Sequence, residues 1–314
     1  MNSLKDRDFL TLRDFSREEL QYLIDLSIRL KKEKKDGVYR ERLKRMNAAL
    51  IFEKPSTRTR CSFTVACADE GAHPEYLNRG DIQLGGKESV ADTARVLSRM
   101  FDIIEFRGFA HRTIEELAEY SSVPVINGLT DDEHPIQILA DFMTIQERFG
   151  RLLGLKLVYA GDGRNNMANS LMLGCAKMGM DYVCAAPPEL SPDSALTAEC
   201  VKYAGESGGS VRVERFPREA VKGADVVYTD VWASMGEEAK AAERLTLLSP
   251  YQVNADLMRL AGEAAVFLHC LPAVKGKEVT EEVFEAPYSL VFDEAENRVH
   301  TAKAVMVALK GKDL

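Results

Sequence analysis

Short apolar runs alternate with stretches of helical periodicity along most of the chain. Ser16 and Glu19, three apart, form a capping box, and Phe15 with Leu20 can staple the chain's entry into a first helix. Leu20, Leu23, Ile24 and Ile28 then keep one helical face apolar. Apolar runs at 48–52, 103–106 and 123–126 read as strands, with helices from about residue 56 and over 135–149. After Gly150-Arg151-Leu152-Leu153-Gly154 the pattern begins again. Strands are expected at 155–160, 182–186, 226–229, 265–268 and 290–292, with a helix over 166–178 and a last one over 296–309. Strands alternating with helices predict an α/β protein whose parallel sheets are flanked by helices. The junction predicts two domains, 1–149 and 150–295, with 296–314 as a helix returning to the first.

Composition narrows the class. A chain of 314 residues with 46% hydrophobic and 29% charged residues has the balance of a globular protein, and its length fits two domains. No apolar run approaches the roughly 18 residues of a membrane helix. The mixed, charged start lacks a signal-peptide core, so the expected location is the cytoplasm and no membrane partner is expected. A net charge of −8 disfavours nucleic acid as a partner. The most basic stretch, 29–45, holds nine basic and three acidic residues and reads as a solvated helix end and loop. Six cysteines with no C-x-x-C pair disfavour a structural zinc site and suit reduced thiols.

Ligands of parallel sheets sit beyond the carboxyl ends of strands, which directs attention to four places. In Pro55-Ser56-Thr57-Arg58-Thr59-Arg60 a strand ends and a helix starts on hydroxyls and guanidiniums. Free backbone N–H groups there, the hydroxyls of Ser56, Thr57 and Thr59, and the fork of Arg58 suit an anion such as phosphate. Arg60 points to another side of the helix and reads as structural. At His134-Pro135-Ile136-Gln137, proline suits the first helical position, and His134 and Gln137 share one side as donors for a carbonyl oxygen. Arg107 follows a strand, and Arg298 lies near the start of the last helix. These residues can converge on one small, doubly charged ligand.

The second half offers a different set. Gly161-Asp162-Gly163-Arg164-Asn165-Asn166 opens a helix after a strand but lacks the third glycine of a dinucleotide turn, and no ribose carboxylate follows the next strand. Nicotinamide binding is therefore disfavoured, and Asn165 and Asn166 offer amides to a polar organic ligand. Asp230 ends a strand before the loop Val231-Trp232-Ala233-Ser234-Met235-Gly236 and suits an ammonium group. In His269-Cys270-Leu271-Pro272, adjacent side chains point to opposite faces, so His269 and Cys270 do not make a nucleophile–base pair. His269 reads as a core residue, and Cys270 can face the crevice.

These four ordered motifs resemble the transcarbamoylase family over nearly the whole chain: S-T-R-T-R as Ser56 to Arg60, H-P-x-Q as His134 to Gln137, H-C-L-P as His269 to Pro272, and, for the ornithine branch, D-x-x-x-S-M-G as Asp230 to Gly236. The family's usual threonine in H-P-T-Q is Ile136 here. The resemblance implies transfer of a carbamoyl group from carbamoyl phosphate to the side-chain amine of ornithine, without cofactor or covalent enzyme intermediate. It implies that Ser56, Thr57, Arg58 and Thr59 bind the phosphate, and that Arg107, His134, Gln137, Cys270, Leu271 and Arg298 hold the carbamoyl group. Asn166, Asp230, Ser234 and Met235 would hold ornithine, with Arg107, His134, Cys270 and Asp230 acting in catalysis. It also implies a homotrimer with shared sites, in which Gln83 is lent to a neighbouring subunit.

Overall fold

A computed structural model describes residues 4–232 and 241–312. The chain forms two compact units, Met1–Met143 with Glu296–Leu314, and Thr144–Ala295.

The first unit runs α1 (Arg17–Lys35), β1 (Asn47–Phe52), α2 (Thr57–Asp69), β2 (His73–Asn78), α3 (Val90–Leu97), β3 (Ile103–Arg107), α4 (His111–Tyr120), β4 (Val125–Leu129) and α5 (Pro135–Phe149), whose last turns belong to the second unit. The capping box forms as the sequence predicts: Ser16 Oγ accepts from Glu19 N–H at 3.2 Å, and Glu19 Oε2 accepts from Ser16 N–H at 3.0 Å. The four strands are parallel in the order β2-β1-β3-β4. Alternation sends Ala49, Ile51, Ile104, Phe106 and Val125 to one face, where Ile114 and Leu117 of α4 complete a core. The chain order reverses between β1 and β3, so the ends of these two strands, Phe52 paired with Arg107, mark the place for a ligand.

The second unit runs β5 (Lys156–Ala160), α6 (Asn166–Met178), β6 (Asp181–Ala185), α7 (Ser194–Ser207), β7 (Ser210–Glu214), α8 (Pro217–Ala220), β8 (Val226–Tyr228), α9 (Ala241–Leu248), α10 (Ala255–Ala261), β9 (Val266–Leu268), α11 (Glu281–Phe284) and the first turn of α12 (Val291–Lys310). Its strands are also parallel, ordered β7-β6-β5-β8-β9. The reversal lies between β5 and β8, ahead of Asn165 and Asp230. Val158, Ala160, Val183, Ala185, Val227 and Phe267 line one core. From Glu296 onward α12 belongs to the first unit, where Lys303 Nζ meets Asp69 Oδ2 at 2.6 Å.

One expected strand is corrected. Residues 290–292 do not form one; α12 begins at Val291. Ser289 bridges Phe267 and Leu290 N–H reaches Phe267 O at 3.0 Å, so the chain touches the sheet and turns at once into the helix. Asp293 and Glu294 in the first turn favour that start, because the helix N-terminus carries partial positive charge.

Candidate active site

In the first unit, Ser56 is the N-cap of α2, its Oγ accepting the Thr59 N–H at 3.2 Å. Thr57 is exposed, and Ser56 and Arg58 are half-buried. Thr59 is fully buried, and its Oγ1 accepts from Arg107 Nη1 at 3.2 Å and from Arg298 Nη2 at 2.6 Å. One hydroxyl thus ties together guanidiniums from the end of β3 and from α12, so Thr59 spends its acceptor on the arginines. Arg60 is exposed and lies over the Tyr76 ring at 3.7 Å, consistent with a structural role.

His134 precedes α5, and Pro135 takes the first helical position. Burial, then Arg298, Arg107 and Arg58, hold the His134 imidazole well below its ordinary range. It is a neutral ring able to donate one N–H without adding charge. Gln137 is fully buried and its Nε2 donates to Asp141 Oδ1 at 2.8 Å, which fixes the amide. Ile136 is buried in the core. Gln83 is exposed on a turn in which Gly86 N–H and Glu88 N–H both donate to its carbonyl, at 3.0 and 3.3 Å.

Two carboxyl groups here escaped the sequence reading. Glu105 shares the face of β3 with Arg107, is fully buried, and has no hydrogen-bond partner on either oxygen among the described residues. Burial raises its pKa well above the ordinary range, against the pull of Arg107 and Arg298. A β-bulge after Phe106 sets Gly128 against it, and a Cβ on Gly128 would lie 1.7 Å from Glu105 Oε1, so a side chain there would have to displace the carboxyl group. Glu133, next to His134, accepts from Thr11 Oγ1 at 2.8 Å. The signal for Glu105 was present: a charge inside the apolar run Ile103-Ile104-Glu105-Phe106.

In the second unit, Asp230 is held from three sides. Asn165 Nδ2 donates to its Oδ2 at 2.9 Å, and Val231 N–H and Cys270 Sγ donate to its Oδ1 at 2.8 and 3.1 Å. Asn165 also caps α6, accepting from Met167 N–H at 2.6 Å, while Asn166 is half-buried in the first turn. The glycine-rich turn serves packing: a Cβ on Gly163 would lie 2.7 Å from Leu190 O and 3.0 Å from Cys184 Sγ. Asp162 pairs with Arg244. Ser234 and Met235 lie outside the described residues.

His269 is fully buried, as a core reading requires. Its Nδ1 accepts from Leu271 N–H at 2.9 Å and its Nε2 lies 3.5 Å from Glu278 Oε1. Glu294 Oε2 accepts the His269 N–H at 3.0 Å. Leu271 has φ 61° and precedes a cis peptide bond to Pro272. Asp230, His269 and Cys270 bring three metal-capable atoms within 4.8 Å of one another. His269 Nδ1 already accepts the Leu271 N–H, so the ring supports the turn that carries Cys270, and ligation through that nitrogen would cost the contact.

Comparison with known proteins follows the division of the chain. Residues 7–147 match the aspartate/ornithine carbamoyltransferase carbamoyl-P binding domain, and residues 153–309 match the Asp/Orn binding domain. Over 98% of both chains the protein is 57% identical to an ornithine carbamoyltransferase of Caldanaerobacter subterraneus subsp. tengcongensis. It is 56% identical, over 98% of both chains, to a catabolic ornithine carbamoyltransferase of Bacillus licheniformis. The solved ornithine carbamoyltransferase from Pyrococcus furiosus superposes with a TM-score of 0.95 at 49% identity, covering 98% of each chain.

Proposed function

Because the chain belongs to the aspartate/ornithine carbamoyltransferase family, we propose that it transfers the carbamoyl group of carbamoyl phosphate to the side-chain amine of L-ornithine, giving L-citrulline and phosphate. The observation that carries this reading is the convergence of Arg107 and Arg298 on Thr59 at the start of α2, beside a neutral His134. That is an anion site next to an uncharged donor.

Phosphate is bound by the first turn of α2, with Ser56, Thr57 and Arg58 supplying donors beyond the backbone N–H groups. Thr59 acts through the arginines it joins. Phosphate is a good leaving group, so the amine attacks the carbamoyl carbon directly. Negative charge then grows on the carbamoyl oxygen, where Arg107 and His134 stabilise it with donors already in place. Gln137, fixed by Asp141, orients the carbamoyl group.

The second unit takes the acceptor, with Asn166 and Asp230 as its anchors and, by resemblance, Ser234 and Met235. Ornithine's side-chain amine is protonated at neutral pH, by analogy with lysine's pKa of about 10.4. The site must select or generate the neutral amine, and the Asp230–Cys270 contact is suited to steering that proton. The chain works as a cytoplasmic homotrimer in which Gln83 completes a neighbour's site, needing no metal, nucleic acid or membrane. No helix among the described residues is long and apolar enough to cross a membrane.

Steady-state kinetics with carbamoyl phosphate against ornithine, putrescine, lysine and aspartate tests the reading. Ornithine should give citrulline with the highest kcat/KM. A preference for putrescine or aspartate would reassign the acceptor.

A further inference from the structure

Three tyrosines sit fully buried on adjacent strands of the second unit, Tyr182 on β6, Tyr159 on β5 and Tyr228 on β8. A buried phenol normally finds a partner for its hydroxyl, because leaving it unpaired costs its desolvation. Tyr182 donates to Ala168 O at 3.0 Å, and Tyr228 donates to Glu294 Oε1 at 3.1 Å. Tyr159 has no hydrogen-bond partner for its hydroxyl among the described residues. Its ring stacks on Tyr228 at 6.3 Å.

The hydroxyl lies at the ligand end of the sheet. A Cβ built on Gly161 would sit 3.6 Å from the Tyr159 oxygen and 3.7 Å from Thr229 Oγ1, so the phenol reaches the level of the residue before Asp230. Tyr159 pairs in register with Tyr228, and Tyr228 with Leu268. Two residues beyond those partners come Asp230 and Cys270. Burial, then the charges of Asp230, Cys184 and Cys270, hold the phenol well above its ordinary range, so it stays a neutral O–H at any working pH.

We propose that Tyr159 is a further acceptor-site residue, whose hydroxyl oxygen accepts a hydrogen bond from the ammonium group that Asp230 draws in. This rests on the reading of the second unit as the acceptor site. It adds a group to the set Asn166, Asp230, Ser234 and Met235. Its logic is that of an unmet hydrogen-bonding group kept in the fold for a ligand.

The Tyr159→Phe variant of the full-length protein removes the oxygen alone. Thermal unfolding should show an equal or higher Tm, since the variant deletes an unpaired buried polar group. KM for ornithine should rise roughly tenfold or more, the worth of one hydrogen bond to a charged group, while KM for carbamoyl phosphate stays within about twofold. Tyr228→Phe, which breaks the bond to Glu294, should lower Tm instead. A lower Tm or failure to fold in Tyr159→Phe means that the hydroxyl serves the fold, and overturns the proposal. So does an unchanged ornithine KM in an active variant. If the wild-type protein makes no citrulline from ornithine, the functional reading falls, and this one with it.

Discussion

Environment decides what a side chain does, and Glu133 gives the measurable case. It is buried, its Oε1 accepts from Thr11 Oγ1 at 2.8 Å, and Arg13 Nη1 stands 3.6 Å away. Burial nevertheless pushes its pKa up from 4.5 to about 7, against the pull of Thr11 and Arg13. A carboxyl with a raised pKa favours the folded state below its unfolded value and loses that contribution as pH rises through the folded value. The loss therefore falls between about pH 4.5 and 7 and amounts to on the order of 3 kcal/mol. His134 works in the opposite sense, since its depressed pKa costs stability as pH falls below its ordinary value. The difference between wild type and Glu133→Gln isolates the carboxyl. Denaturant midpoints from pH 4.5 to 7.5 should show the variant gaining on wild type as pH rises. Parallel curves across that range would show that Glu133 titrates elsewhere.

The same scale shows what could be read in advance. Arg58, Arg107, His134 and Asp230 stood out because each charge or donor sits where a strand ends or a helix begins. Glu105 and Tyr159 did not, because what surrounds them is set by neighbours distant in sequence. The sequence offers Thr59 as a donor to phosphate; that its hydroxyl oxygen also accepts from two arginines is a fact only the fold supplies.

At the scale of elements, Thr59 is where α2, β3 and α12 meet. Thr59→Val keeps the shape but removes the acceptor shared by Arg107 Nη1 and Arg298 Nη2. Losing these charge-assisted bonds should cost about 1.5–3 kcal/mol of stability. KM for carbamoyl phosphate should rise by tenfold or more, roughly the same free energy read at the site, with KM for ornithine little changed. Thr59→Ser should restore most of both. A valine variant with wild-type carbamoyl phosphate KM would mean that the arginines hold their places without Thr59.

Elements with strong local grammar were legible: the capping box of α1, the proline start of α5, and the buried strands β1, β3 and β5. The strands β2 and β7 were missed because both are edges of their sheets, with no buried residue in His73–Asn78 or Ser210–Glu214. Such strands lack the continuous apolar run of a central one. The three residues 290–292 failed for the opposite reason, since so short an apolar run fits a strand or a helix start equally well.

At the scale of the whole molecule, alternating strands and helices announced parallel sheets, but strand order was not readable, because pairing is set by packing of distant segments. Nor does chain order match unit order, since the last helix returns to the first unit. Lys303 Nζ reaches Asp69, Leu309 O accepts the Asp6 N–H at 2.9 Å, and Arg42 O accepts the Lys312 N–H at 3.1 Å. Arg298 is thereby brought to Thr59 from the far end of the chain.

Assembly carries the last prediction. Gln83 is exposed and presented on a turn closed by its own carbonyl, which suits a side chain offered outward. If it completes a neighbour's site in a closed ring of three, each site needs Arg58 from one subunit and Gln83 from the next. Arg58→Ala and Gln83→Ala should each be nearly inactive alone. After dissociation and random reassembly of an equal mixture, a given site pairs an intact Arg58 with an intact Gln83 in about a quarter of cases, so about a quarter of wild-type activity should return. A site built within one subunit has no such route, because every subunit carries one lesion. Recovery of wild type put through the same cycle, with the mixture still inactive, would rule out shared sites.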